Sequence, residues 1–168
     1  MFMTMTHSEM ADRIRRAEEL FVSGYNCAQA VVAAFADIYG YNERQALTMS
    51  AGFGGGIGRT RQTCGAACGM VMLAGMDCGT ADAADREGKS ANYKVVQQLL
   101  ERFRQCHGTL ICSELLKLKP GTPLSYVAGE RTEEYYRTRP CINQVVSAAK
   151  IFADYLEAKD GAGKEENE

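Results

Sequence analysis

Apolar residues recur along most of the chain at intervals of three and four, and nowhere in sustained period-two runs rich in β-branched residues. That pattern predicts an all-α protein. Between Ser8, a predicted cap, and Gly24, a predicted stop, Met10, Ile14, Ala17 and Phe21 form one stripe. Asn26 can cap the next helix, CAQAVVAAFADIY, which Gly40 closes. Asn42 and Gln45 have capping-box spacing at the start of ERQALTMSA, which runs into a loop, GFGGGIG.

Thr63 is the predicted cap of CGAACGMVMLAGM. A polar segment, TADAADREGKSAN, separates that helix from YKVVQQLLERFRQC, in which Tyr93, Val96, Leu100 and Phe103 share a side and which His107 and Gly108 end. A short helix around CSELLKL, a loop through KPGTPLSYVAGERT and a brief helical piece at EEYYR lead to PCINQVVSAAKIFADYLEAK. There Pro140 takes a favoured first-turn position, and Cys141, Val145, Ala148 and Phe152 share a face. The expectation is a compact irregular bundle of six to seven helices, with residues 1–158 as one domain and 159–168 as a disordered tail.

Composition narrows the classes of function. A chain of 168 residues that is 46% hydrophobic can bury a core in one domain without covalent staples. The net charge is −2 with acids and bases interspersed, so no basic face points to nucleic acid or an anionic membrane. MFMTMTHSEMADRIRR lacks a basic stretch followed by an apolar one, and no apolar run is long enough to span a bilayer. The chain is therefore expected to be a soluble cytoplasmic protein.

Seven cysteines change the picture: Cys27, Cys64, Cys68, Cys78, Cys106, Cys112 and Cys141. In the cytoplasm they are expected to be reduced, which favours metal binding or redox chemistry over a disulfide framework. Cys27, Cys64, Cys112 and Cys141 each fall in the first turn of a predicted helix, where free backbone N–H groups and the helix dipole favour thiolate. Cys68, Cys78 and Cys106 lie elsewhere in their helices and read as small core hydrophobes.

The first-turn cysteines are separated by 36, 47 and 28 residues, with no CxxC pair, which excludes zinc fingers and ribbons and the ferredoxin CxxCxxC run as matches. Dispersed ligands are compatible with a cluster held between four helix ends. Four half-charges of roughly +0.5 would offset about two negative charges, the formal charge of both an oxidised [2Fe–2S] centre with four thiolates and a zinc tetrathiolate.

GYNCAQAV, the glycine-rich turn leading into TCGAACG, FRQCHGTLICSELL and PCINQVVSAA together resemble the four-cysteine C_GCAxxG_C_C family over residues 8 to 156. The resemblance implies redox activity, with Cys27, Cys64, Cys112 and Cys141 as the family cysteines and Gly65, Ala66 and Gly69 as its small residues. A similar module occurs beside haem in cytochromes that carry an iron–sulfur centre. Cys68, Cys78 and Cys106 are additions that the motif does not require, and Cys68, one turn from Cys64, is available as a resolving thiol or alternate ligand.

The leading expectation is therefore metal ligation by Cys27, Cys64, Cys112 and Cys141, most simply of a [2Fe–2S] cluster, for electron transfer or sensing with a redox partner protein. The cluster can lie within one chain or in a homodimer. The alternatives are a thiol–disulfide oxidoreductase and a structural zinc domain. Gly65 and Gly69 leave one helix face open to a neighbouring helix end or the cluster. GFGGGIG has neither nucleotide-binding spacing nor a preceding strand and is expected to form a nest of N–H donors. Arg59 and Arg61 flank it, either to balance thiolate charge and steer an acidic partner or as solvated loop residues. His107 is placed outside the site, and Asn26 and Tyr25 are assigned capping and packing.

Overall fold

The computed structural model describes residues 5–165. These form eight helices: α1 (His7–Val22), α2 (Cys27–Ala33), α3 (Glu43–Ser50), α4 (Gly65–Cys78), α5 (Arg86–His107), α6 (Cys112–Leu115), α7 (Glu133–Thr138) and α8 (Cys141–Glu165). Among the described residues there is no strand, only an isolated antiparallel bridge between Thr63 and Ile111. The all-α expectation holds. The helices number eight where six to seven were expected.

The long α8 is the spine, packed against α1, α2, α4 and α5. Val145, Ala148 and Phe152 of its predicted stripe are buried, and Phe152 meets Phe35 edge-on with ring centroids 5.3 Å apart. The closest pairing in the fold joins α2 to α4. Small residues permit it: a Cβ on Gly69 would stand 3.0 Å from the Ala28 carbonyl oxygen and 3.1 Å from Val31 Cβ.

The caps at Asn26 and Asn42 form as reciprocal boxes with Gln29 and Gln45. Several boundaries differ from the predicted ones, among them the start of α4, where Cys64 and not Thr63 stands at the cap. Thr6, not Ser8, caps α1, because Glu9 three residues on answers its backbone N–H. The α2 helix stops at Ala33, short of Tyr39, and gives way to a single tight turn over Ala36–Tyr39. There Arg13 donates to the Ala34 carbonyl at 2.9 Å and grips the Asp37 carboxylate at 2.6 Å. And α5 begins inside the polar segment, where Asp85 accepts from the Gly88 amide at 2.8 Å.

Asn92 then donates to the Ala74 carbonyl at 3.1 Å and to Cys78 Sγ at 3.3 Å, which turns a polar residue inward and leaves Tyr93 62% exposed. Leu99 and Phe103 supply the buried face in its place.

The predicted disordered tail overlaps α8, which continues helically over 159–165, while 166–168 lie outside the described residues. Lys159 pairs with the buried Asp77 carboxylate at 2.9 Å, and Tyr155 donates to it at 2.6 Å. These contacts hold the end of α8 against α4 and extend order past the predicted boundary. No helix of the described residues is long and apolar enough to cross a membrane.

Candidate functional site

Two chain segments cross to build one wall of the site. The Cys64 amide donates to the Leu110 carbonyl at 2.7 Å, and the Cys112 amide donates to the Gln62 carbonyl at 2.7 Å. The bridge thus sets the starts of α4 and α6 side by side, although 47 residues separate the two cysteines. The starts of α2 and α8 close the opposite wall. Cys27, Cys64, Cys112 and Cys141 all line one cavity of about 50 Å³, together with Gly55, Gly56, Gly65, Arg61, Arg131, Tyr135 and Arg139. Organic cofactors and drug-sized ligands need roughly 300–1,000 Å³, so this space suits a small inorganic group or none.

Cys64 and Cys112 are 5% and 8% exposed, and Cys27 and Cys141 are half-buried. First-turn position was expected to favour thiolate at all four, and the structure restricts that to one. Burial pushes Cys64 up to about 12, although the Ala66 and Ala67 amides of its own first turn oppose the shift. Burial likewise raises Cys112, against the Arg61 guanidinium, whose Nη1 lies 3.8 Å from Cys112 Sγ. Cys27 is raised by the hydrogen bond it gives to Cys141 and by burial. The same hydrogen bond, with Arg139, Arg131 and Arg61, lowers Cys141.

The helix ends contribute less than sequence position implied, because α2 has seven residues and α6 four, too short for a developed dipole. Positive charge comes from the guanidiniums. Arg139 and Arg131 both stack on the Tyr135 ring, each 4.6 Å from its centroid. Arg139 has a sequence signal, lying two residues before Cys141; Arg131 sits in a polar loop that offers none. Arg61 enters the cavity, whereas Arg59 is held outside it, donating to the Ser125 carbonyl at 2.8 Å.

The glycine segment, expected as a nest of N–H donors, is a left-handed turn. Gly55, Gly56, Ile57, Gly58 and Arg59 are consecutive left-handed residues. Within this turn the amides of Gly58, Arg59, Thr60, Arg61 and Gln62 donate to the segment's own carbonyls. Close approach is its use: a Cβ on Gly56 would stand 2.5 Å from Cys112 Cβ.

Of the small residues assigned to cofactor binding, Gly65 lines the cavity, where a Cβ would stand 3.3 Å from Cys27 Cβ and 2.9 Å from the Phe53 carbonyl oxygen. Ala66 and Gly69 do not line it. Ala66 is buried and serves Cys64 through its amide, and Gly69 serves the crossing with α2.

The remaining cysteines stand apart from the cavity. Cys68 is half-buried over the Thr63 carbonyl at 3.8 Å, and burial raises it to about 11. Cys78 bonds to Ala74 and Asn92. Cys106 is exposed rather than part of the core, since it lies on the outer side of α5. His107 stacks on Phe103 with centroids 4.6 Å apart, outside the cavity as placed.

Among the described residues no three His, Cys, Asp or Glu side chains are grouped as a single metal ion would require. Four cysteines lining one cavity are the donor type that iron–sulfur clusters and zinc both take.

The family model described as "Putative redox-active protein (C_GCAxxG_C_C)" matches residues 25–155. No curated protein and no solved structure matches the chain.

Proposed function

The chain belongs to the C_GCAxxG_C_C family, and on that premise we propose that it is a one-electron redox protein whose Cys27, Cys64, Cys112 and Cys141 hold an iron–sulfur cluster, most simply [2Fe–2S]. The observation that carries this reading is the convergence of these four cysteines, from four different helices, on one small cavity faced by three arginines. When bound, such a cluster accepts and releases one electron without bond-making at the protein. The chain's own residues supply four sulfur ligands, exclude water by burial, and set guanidinium charge against the thiolates. All four ligands come from one chain, so the site does not require a dimer. A redox partner protein is implied by the same reading, because the cavity has no room for an organic electron donor.

Anaerobic reconstitution with ferrous iron and sulfide tests the proposal. Wild-type protein is expected to take up iron and acid-labile sulfide and to absorb in the visible. Cys27→Ala, Cys64→Ala, Cys112→Ala and Cys141→Ala are each expected to fall to background, whereas Cys68→Ala and Cys106→Ala keep the colour. A colourless wild-type protein would sink the cluster. Zinc is the alternative occupant, and iron, sulfide and zinc assays of the same samples separate the two.

The presence of Cys27 and Cys141 in one cavity, with Cys141 lowered and Cys27 raised, supports a second reading, thiol–disulfide exchange. Cys141 thiolate would attack a substrate disulfide and release one thiolate. Cys27, giving up its proton, would then displace the other thiolate and close a Cys27–Cys141 disulfide. For metal-free protein this predicts that Cys141 is alkylated by iodoacetamide at neutral pH and loses reactivity as the pH falls through its lowered pKa, while Cys64 stays unreactive. Peptide mapping of the alkylated sites checks it, and equal labelling of the two cysteines would remove this reading.

A further inference from the structure

Three buried side-chain nitrogens among the described residues have no hydrogen-bond partner: Arg13 Nε, His107 Nε2 and Arg131 Nη1. The first belongs to a guanidinium whose other nitrogens already hold Asp37 and the Ala34 carbonyl. The second lies beside the Phe103 ring. Arg131 differs from both, because it lines the four-cysteine cavity.

Its placement is tightly determined. Arg131 Nη2 donates to the Tyr25 carbonyl at 3.2 Å, two residues before Cys27. The guanidinium carbon lies 5.1 Å from the Phe21 ring centroid, 4.6 Å from Tyr135 and 5.9 Å from Tyr136. Among the described residues no carboxylate lies within 4.0 Å of it, so none neutralises it. A cation packed against aromatic rings, with both N–H bonds of its buried Nη1 unspent, lacks a protein acceptor for those donors. The cavity's lining offers the four cysteine sulfurs as acceptors beside the side-chain oxygens of Asn26, Tyr135 and Gln144, and a cluster would add sulfide to them.

We propose that Arg131 is a cofactor-contacting residue whose Nη1–H donates to sulfur of the cluster and favours its reduced state. This rests on the cluster reading above. An oxidised two-iron, two-sulfide group with four thiolates carries −2, and one added electron makes it −3. Arg61, Arg131 and Arg139 bring three positive charges to the same cavity. A hydrogen bond to sulfur strengthens as negative charge grows on it, so Arg131 binds the reduced form more tightly than the oxidised one and raises the potential. The electron comes from an external one-electron donor, dithionite in the test, and no proton or covalent bond changes place.

The test compares reconstituted wild-type, Arg131→Lys, Arg131→Gln and Arg137→Gln protein by spectroelectrochemical titration against dithionite. Arg137 is exposed and outside the cavity. Arg131→Gln is expected to lose at least a tenfold preference for the reduced state, a shift of about 59 mV to more negative potential for one electron. Arg131→Lys, which keeps the charge without the planar fork, is expected to shift less, and Arg137→Gln not at all.

Electron–nuclear resonance of reduced wild-type protein in D₂O is expected to show an exchangeable deuteron coupled to the cluster that Arg131→Lys lacks; this readout stands even if Arg131→Gln fails to fold. A cluster with an unchanged midpoint in Arg131→Gln, or the same deuteron coupling in Arg131→Lys, overturns the proposal while leaving the cluster intact. A wild-type chain that takes up no iron overturns the reading beneath it, and this inference with it.

Discussion

Gly56→Ala is expected to unseat Cys112 and abolish iron retention, whereas Gly58→Ala, two residues on, leaves the site working. Both glycines are left-handed, at φ +70° and +57°, so each alanine carries a backbone cost of roughly 1–2 kcal/mol. Space separates them. The new methyl at Gly56 would stand 2.5 Å from Cys112 Cβ and 2.9 Å from both Arg61 Cα and the Gln62 amide nitrogen. Those are backbone atoms and the Cβ of a cysteine whose amide is bonded to the Gln62 carbonyl, so they cannot yield cheaply, and overpacking adds roughly 1–3 kcal/mol. At Gly58 the nearest atom is the Gly52 carbonyl oxygen at 3.8 Å, an ordinary contact. Iron content after anaerobic reconstitution, with urea denaturation of the same samples, checks both variants; equal iron in the two would show that the glycine turn does not position Cys112.

Phe152→Ala is expected to cause the largest loss of stability, about 3–5 kcal/mol, from a total of roughly 5–15 kcal/mol for a domain of ordinary stability. Phe152 is fully buried, meets Phe35 edge-on at 5.3 Å and lies 5.7 Å from the Tyr155 ring. Phe35 follows α2 and Phe152 lies on α8, so this contact ties together the two helices that begin with Cys27 and Cys141. Equilibrium urea denaturation measures the loss. In a double-mutant cycle with Phe35→Ala the two losses should fall short of additivity by about 0.5–1.5 kcal/mol, the worth of an aromatic pair. Strict additivity would show that the rings fill space independently.

Much of the architecture could be read before any coordinates. The cap at Asn26, the box at Asn42, the stop at Gly108 and the α8 stripe follow from capping and periodicity, which act over a few residues. Distant partners settled the end of α2 through Arg13, the buried face of α5 through Asn92 and the end of α8 through Asp77. The starts of α1 and α5 were instead set locally, by Thr6 with Glu9 and by Asp85 with Gly88.

The site divides along the same line. The identity of its four cysteines followed from their position at helix starts and from the surrounding motif, and the structure brings those four into one cavity. The role of the small residues was only partly legible, since Gly65, Ala66 and Gly69 follow one another closely in sequence yet face a cavity, an amide bond and a helix crossing. Arg131 and Arg139 were overlooked, because a loop arginine carries no mark of the aromatic cage that will hold it.

By itself the sequence determined that the chain is helical, where most helices begin, and which sulfurs stand at those beginnings, because capping and periodicity act over three or four residues. Only the tertiary structure decided which sulfur has its pKa lowered, which cations face the four, and that the glycine turn winds left-handed beside Cys112. Those outcomes depend on burial and on charges brought together from residues far apart in the chain, and electrostatic energy follows distance and solvent exposure, not sequence separation.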